Sequence, residues 1–181
     1  MNKQSRNELK MSLLELRNSI NLDKKNWKHI FTTNCYAYAL GLDVREQNIK
    51  DFAYIPGVIS GVYKKIDEDY SIAYPKLLDN IHDDLEFLGI NFREVNPLEE
   101  ISNDEWKIAI FTSFLACDFF TEIVSDFHFL RQRENGIWYH KEGWFKRPTN
   151  KDSNSNIITD PSDCYLRGKQ YKKCYSLKLN K

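Results

Sequence analysis

Before Ile90 the apolar residues of this chain recur at helical spacing, and from Ile90 onward they fall into short strand-like runs; that division constrains the fold more than any other feature. Leu77, Leu78, Ile81, Leu85 and Leu88 repeat at helical intervals, with Asp and Glu between them and Gly89 as a stop, so the spacing predicts a helix over 74–88. Residues 7–20 place Leu9, Leu13, Leu14 and Ile20 near the same period and predict an amphipathic opening helix. TTNCYAYALGL reads as a short helix, with Thr or Asn as cap, Gly41 as stop, and Cys35 in its first turn. Between Asp43 and Tyr74, Pro56-Gly57 and Gly61 without a sustained period predict mostly loop. INFREV, KIAIFTS, FHFLRQ, IWYHKE and QYKKCYSLKL then read as five strands. Helices first and sheet afterwards imply an α+β domain, its N-terminal helices packed on an antiparallel sheet. With 181 residues a single domain suffices, helical over about 1–90 and sheet over about 90–181. PTNKDSNSN, 148–156, reads as a mobile polar loop.

Charge excludes some function classes. The 26 basic and 26 acidic side chains cancel, so the total gives no attraction to nucleic acid or to an anionic membrane. Their distribution is uneven: residues 51–105 carry thirteen Asp/Glu against four Lys/Arg, and Arg167–Lys181 carries six Lys/Arg and no acid. A solvated acidic face and a basic last strand account for this, with a groove for a cationic substrate as the alternative. The opening MNKQSRNELK is polar, and no apolar run suits a signal peptide or a membrane span, so the expected location is the cytoplasm as synthesised. Cys35, Cys117, Cys164 and Cys174 lack paired CxxC spacing and are expected as reduced thiols. That leaves Cys35 available for chemistry.

A thiol becomes a good nucleophile when its pKa falls, and the start of a helix favours the thiolate through the dipole and unpaired N–H groups. Cys35 has that position by sequence. Of the four histidines, His29 and His82 read as surface residues, whereas His128 and His140 lie on two strands joined by Arg133-Glu134-Asn135-Gly136. A two-residue turn at Asn135-Gly136 would send the two rings to opposite faces of the sheet. A three-residue turn with Gly136 in the left-handed region would pair Leu130 with His140, put both rings on one face, and bring them to diagonal cross-strand positions about 7 Å apart at Cα. Glu-Asn-Gly favours the second form. Trp138, Tyr139, Trp144 and Phe145 cluster nearby; core packing accounts for some of them and an aromatic-lined substrate groove for the rest. No GxxxxGK[ST], GxGxxG or GxSxG is present, and the His pair with a distant cysteine is too few ligands for zinc.

Taken together, TNCYAYAL and FHFLRQRENGIWYH resemble the NlpC-type peptidases of the papain-like superfamily: a Cys at a helix start, then a His on a strand, then a second His after a turn, here 12 positions on. The resemblance implies a papain-like fold, Cys35 as nucleophile, His128 as general base and acid, and His140 as the group that orients it. It implies no cofactor or metal and a peptide or protein substrate, such as a peptidoglycan stem peptide reached by phage lysis, secretion or release from a larger toxin. An intracellular target, with deamidation or acyl transfer by the same thiol, and a papain-like binding or inhibitory module without turnover are the competing expectations. The family usually has Asp-Cys-Ser-Gly where this chain has Asn34-Cys35-Tyr36-Ala37, so its substrate contacts do not transfer. Asp160 in IITDP competes with His140 for the third role.

Overall fold

The computed structural model describes residues 33–42, 55–63, 70–118, 121–142 and 146–180. The predicted opening helix over 7–20, His29, Trp144 and Phe145 lie outside them. Within them are two helices, α1 (Cys35–Leu40) and α2 (Tyr70–Phe87), then five strands: β1 (Ile90–Glu94), β2 (Glu105–Asp118), β3 (Thr121–Gln132), β4 (Trp138–His140) and β5 (Gln170–Leu179). The strands form one antiparallel sheet in the order β1-β5-β2-β3-β4. The protein is therefore α+β, with helices preceding the sheet as the patterning implies.

Local chemistry explains the ends of α1. Asn34 is extended, and its side-chain oxygen accepts the Ala37 N–H at 2.9 Å; Gly41, at φ 76°, closes the helix with its N–H on the Ala37 and Tyr38 carbonyls. Helix α2 starts at Tyr70, a turn earlier than its apolar spacing suggests, and runs through Pro75. Proline in the second turn forfeits one backbone hydrogen bond and leaves the rest of the helix intact.

Strand alternation divides the interior into two layers. Trp106, Ile108 and Ile110 of β2 and Phe129 of β3 face the helices and pack with Tyr36, Leu40, Leu77, Ile81 and Leu85. Ala109, Phe111, Leu130 and Trp138 face the other way, against Ile158, Leu166 and Cys174. The segment between β4 and β5 covers that second face. It is not a loose loop: Asp152 accepts the N–H groups of Asn154 and Asn156, at 2.9 and 2.8 Å, and that of Tyr165 at 3.3 Å. Thr149 exchanges two 2.8 Å backbone hydrogen bonds with His140, so β4 is not left as an open edge.

The uneven charge is resolved partly within the sheet. Lys173 and Lys178 of β5 pair with Glu94 and Asp104 of the acidic segment, at 2.6 and 2.8 Å. The helical acids are not all solvated, however. Asp84 is fully buried, and His82 is half-buried, with Nε2 3.0 Å from the Tyr175 hydroxyl and its ring stacked on Phe92. Among the described residues no helix is long and apolar enough to cross a membrane.

Candidate active site

The turn between β3 and β4 decides whether two histidines can act together. The Arg133 carbonyl accepts the Gly136 N–H at 2.9 Å, and the Arg133 N–H donates to the Ile137 carbonyl at 3.0 Å. With Gly136 at φ 76°, this is the three-residue form, in which a side chain at residue 136 would be strained. Leu130 consequently pairs with His140, and His128, two residues before Leu130, shares its face. The two rings meet nearly edge to face, with His128 Nε2 2.9 Å from His140 Nδ1.

One further contact sets the direction of the hydrogen bonds. His140 Nε2 lies 2.9 Å from the Lys151 carbonyl oxygen, which can only accept, so Nε2 carries the hydrogen. With both rings uncharged, His140 Nδ1 is then an acceptor and His128 Nε2–H donates to it. His128 Nδ1 is left as the basic nitrogen. Asp160 takes no part: its Oδ1 accepts both the N–H and the hydroxyl of Ser162, at 2.8 and 2.7 Å.

Helix α1 packs on β3 from the other face and brings Cys35 to the strand beside His128. Because β4 ends at His140, opposite Leu130, the stretch 127–129 has no β4 partner. The Cys35 thiol sits there, 4.0 Å from the Phe127 carbonyl oxygen and within reach of the Phe129 N–H, the two main-chain groups that flank His128. The structure thus joins His128 to His140 and sets Cys35 against the His128 backbone. The thiol's hydrogen bond goes to that carbonyl and not to an imidazole.

Electrostatics here differ from the sequence expectation of a thiol made acidic by a helix start. Burial pushes the Cys35 thiol up to about 11, although the Phe129 and Tyr36 N–H groups oppose it. Burial also holds His128 well below the usual histidine range, with lesser contributions from His140 and Lys169. Both groups are therefore uncharged at neutral pH. Residues the sequence reading passed over complete the surroundings. Lys141 is fully buried, pushed down to about 8 by desolvation while the Cys35 sulfur acts in the opposite direction. Asp84 accepts the hydroxyl of Tyr36, next to the thiol, at 3.0 Å. Trp138 is fully buried among the second-layer apolar residues and lines no groove. Cys35, Cys164 and Cys174 are free thiols, and no group of three or more His, Cys, Asp or Glu among the described residues is placed to hold a metal ion.

Buried neutral His128 makes stability depend on pH. Its folded pKa lies below the unfolded value of about 6.5, so below that pH the unfolded chain takes up a proton the folded one refuses. The contribution of His128 should be flat above about pH 6.5 and fall on acidification, by at most about 1.4 kcal/mol per pH unit. Burial also lowers His82, which adds in the same direction. Urea midpoints at pH 7.5 and 5.0 should converge in His128→Asn relative to wild type; an unchanged acid loss in that variant would assign the effect elsewhere.

Comparison with protein-family models, with curated proteins and with solved structures finds no match to this chain.

Proposed function

We propose that this protein is a thiol-dependent amide hydrolase of papain-like arrangement, with Cys35 as nucleophile, His128 as general base and acid, and His140 as the orienting group. The observation that carries this reading is the directed chain from His128 Nε2–H to His140 Nδ1 and from His140 Nε2–H to the Lys151 carbonyl, both links 2.9 Å, which leaves His128 Nδ1 basic. A ring held this way can accept a proton on one nitrogen only.

The first step requires the Cys35 thiol to leave the Phe127 carbonyl and reach His128 Nδ1 around the edge of β3 at 127–129, which has no β4 partner, whereupon Nδ1 takes the thiol proton. The thiolate adds to an amide carbonyl carbon, and the tetrahedral intermediate collapses to a thioester as the imidazolium protonates the departing amine. His128 then removes a proton from water, the resulting attack cleaves the thioester, and the carboxylic acid leaves as Cys35 regains its hydrogen. The peptide or isopeptide bond is the substrate class proposed, in a cell-wall peptide or a protein; an amine acceptor in place of water would give acyl transfer, and a side-chain amide would give deamidation.

Burial of the thiol, 8 % exposed, favours a second reading as a binding or inhibitory module without turnover. A panel of peptidyl acyloxymethyl ketones, followed by intact mass, separates the two. A single adduct in wild type, absent in Cys35→Ala and greatly slowed in His128→Ala, supports the hydrolase. No adduct at any pH from 6 to 9 would overturn it in favour of the binding module.

A further inference from the structure

An ion pair stands beside the thiol that the proposed chemistry does not use. Asp126 lies two residues before His128 on β3 and next to Phe127, whose carbonyl touches the Cys35 sulfur. Its Oδ1 accepts the Phe127 N–H at 2.9 Å, which ties the carboxylate to the peptide unit before that carbonyl. Lys169, just ahead of β5, places Nζ 2.9 Å from Asp126 Oδ2 and 3.4 Å from the Ser113 hydroxyl, and Ser113 is the cross-strand partner of Asp126. The two charges are unequally shielded: the Lys169 side chain is 21 % exposed and that of Asp126 59 %. Solvent therefore screens the carboxylate more strongly than the ammonium.

We propose that the Lys169–Asp126 pair tunes the nucleophile: Lys169 favours the Cys35 thiolate opposite an uncharged His128, and Asp126 restrains that effect. The inference rests on Cys35 being the reactive thiol of the proposed hydrolase. It assigns Lys169 and Asp126 as positioning residues that act through the charge on sulfur and not through substrate.

The signs follow from Coulomb's law. A cation near both groups stabilises the anionic thiolate and opposes the imidazolium, and Lys169 acts in that sense on Cys35 and on His128. Asp126 acts on Cys35 in the opposite sense. Among the described residues the other ionisable group that interacts with the thiol is Lys141 beyond β4, whereas His128 of β3 directs its ring to the opposite face and α1 brings no charged side chain. Removing one member of the pair thus leaves the other uncompensated, and the two removals shift thiol reactivity in opposite directions. A purely structural bridge would give two losses of the same sign.

Alkylation by iodoacetamide reads this without any requirement for turnover. Peptide mass spectrometry isolates Cys35 from the other cysteines, and the rate is followed from pH 6 to 10. Lys169→Met should slow Cys35 alkylation at pH 7.5 about threefold or more and move its pH profile upward; Asp126→Asn should accelerate it and move the profile downward. Lys169→Arg should restore the wild-type rate, and 1 M salt should shrink the differences. The His128 imidazole, titrated by NMR, should move upward in Lys169→Met. Rates that change in the same direction in both variants, or in neither, would overturn the proposal. Opposed rates with no ketone adduct on wild type would keep the tuning and reject the hydrolase.

Discussion

His128→Ala is expected to lower kcat/KM for hydrolysis of a peptidyl thioester or anilide by about 10³-fold or more, and His140→Ala by about 10²-fold. The first loss follows from the resting state: burial keeps the Cys35 thiol protonated, up at about 11, so only a small fraction is thiolate at neutral pH unless a base removes the proton. The second loss is indirect. His140 fixes which His128 nitrogen carries hydrogen, and without it Nε2 loses its acceptor at 2.9 Å and the ring is free to adopt the wrong tautomer.

In the proposed mechanism His140 acts through His128, so the double variant His128→Ala/His140→Ala should be no slower than His128→Ala alone. His140→Asn should retain part of the rate, since a side-chain carbonyl can accept from Nε2–H. Multiplicative losses in the double variant would assign His140 a direct contact with substrate, and wild-type kinetics in His140→Ala would remove it from the site. The pH profile supplies a second readout. His128 is held well below the ordinary histidine range, so the acidic limb of kcat/KM should lie on the acid side of the value of a free imidazole.

What the sequence discloses about this site is local. Glu134-Asn135-Gly136 marks the turn, the turn sets register, and register sets which face a ring occupies, so the meeting of His128 and His140 is legible from fourteen consecutive residues, 127–140. Asn34 and Gly41 mark the ends of α1 for the same reason: a cap is chosen by backbone groups within four positions of it. The antiparallel α+β class follows from periodicity alone. The location of the thiol does not, because it depends on where β4 stops and on α1 filling the space beyond. Its high pKa is equally hidden, since the helix start is written in the sequence and the burial that outweighs it is not. Trp138 illustrates the same limit: spacing does not say which aromatic beside the histidines is core and which lines a groove, and the segment around Ile158 and Leu166 closes over this one. Asp84 is the largest miss, and its partners explain why: they are 48, 27 and 24 residues away, beyond any spacing rule.

Asp84→Ala is expected to cost about 3 to 5 kcal/mol of stability, the range for breaking a buried charged network by removing one partner. The carboxylate is fully buried on α2 and accepts three donors: the Gly57 and Ser60 N–H groups, each at 2.7 Å, and the Tyr36 hydroxyl at 3.0 Å. Burial raises its pKa, and all three donors act against that by favouring the ionised form. Truncation would strand three polar groups in the interior, and the segment 55–63 has little room to adjust. Gly57 is at φ 94°, and a Cβ there would lie 2.7 Å from Asn80. Asp84→Asn keeps the volume but turns an N–H2 toward at least one main-chain donor, so it should cost less than alanine and still be clearly destabilising. The effect should also reach the thiol, because Tyr36 is the residue after Cys35 and its hydroxyl anchors the first turn of α1 to α2. Urea unfolding measures the stability loss, and the Cys35 alkylation rate under native conditions measures the loosening. A change below about 1 kcal/mol in Asp84→Ala would mean that water replaces the carboxylate at the three donors and that α1 is positioned by apolar packing alone.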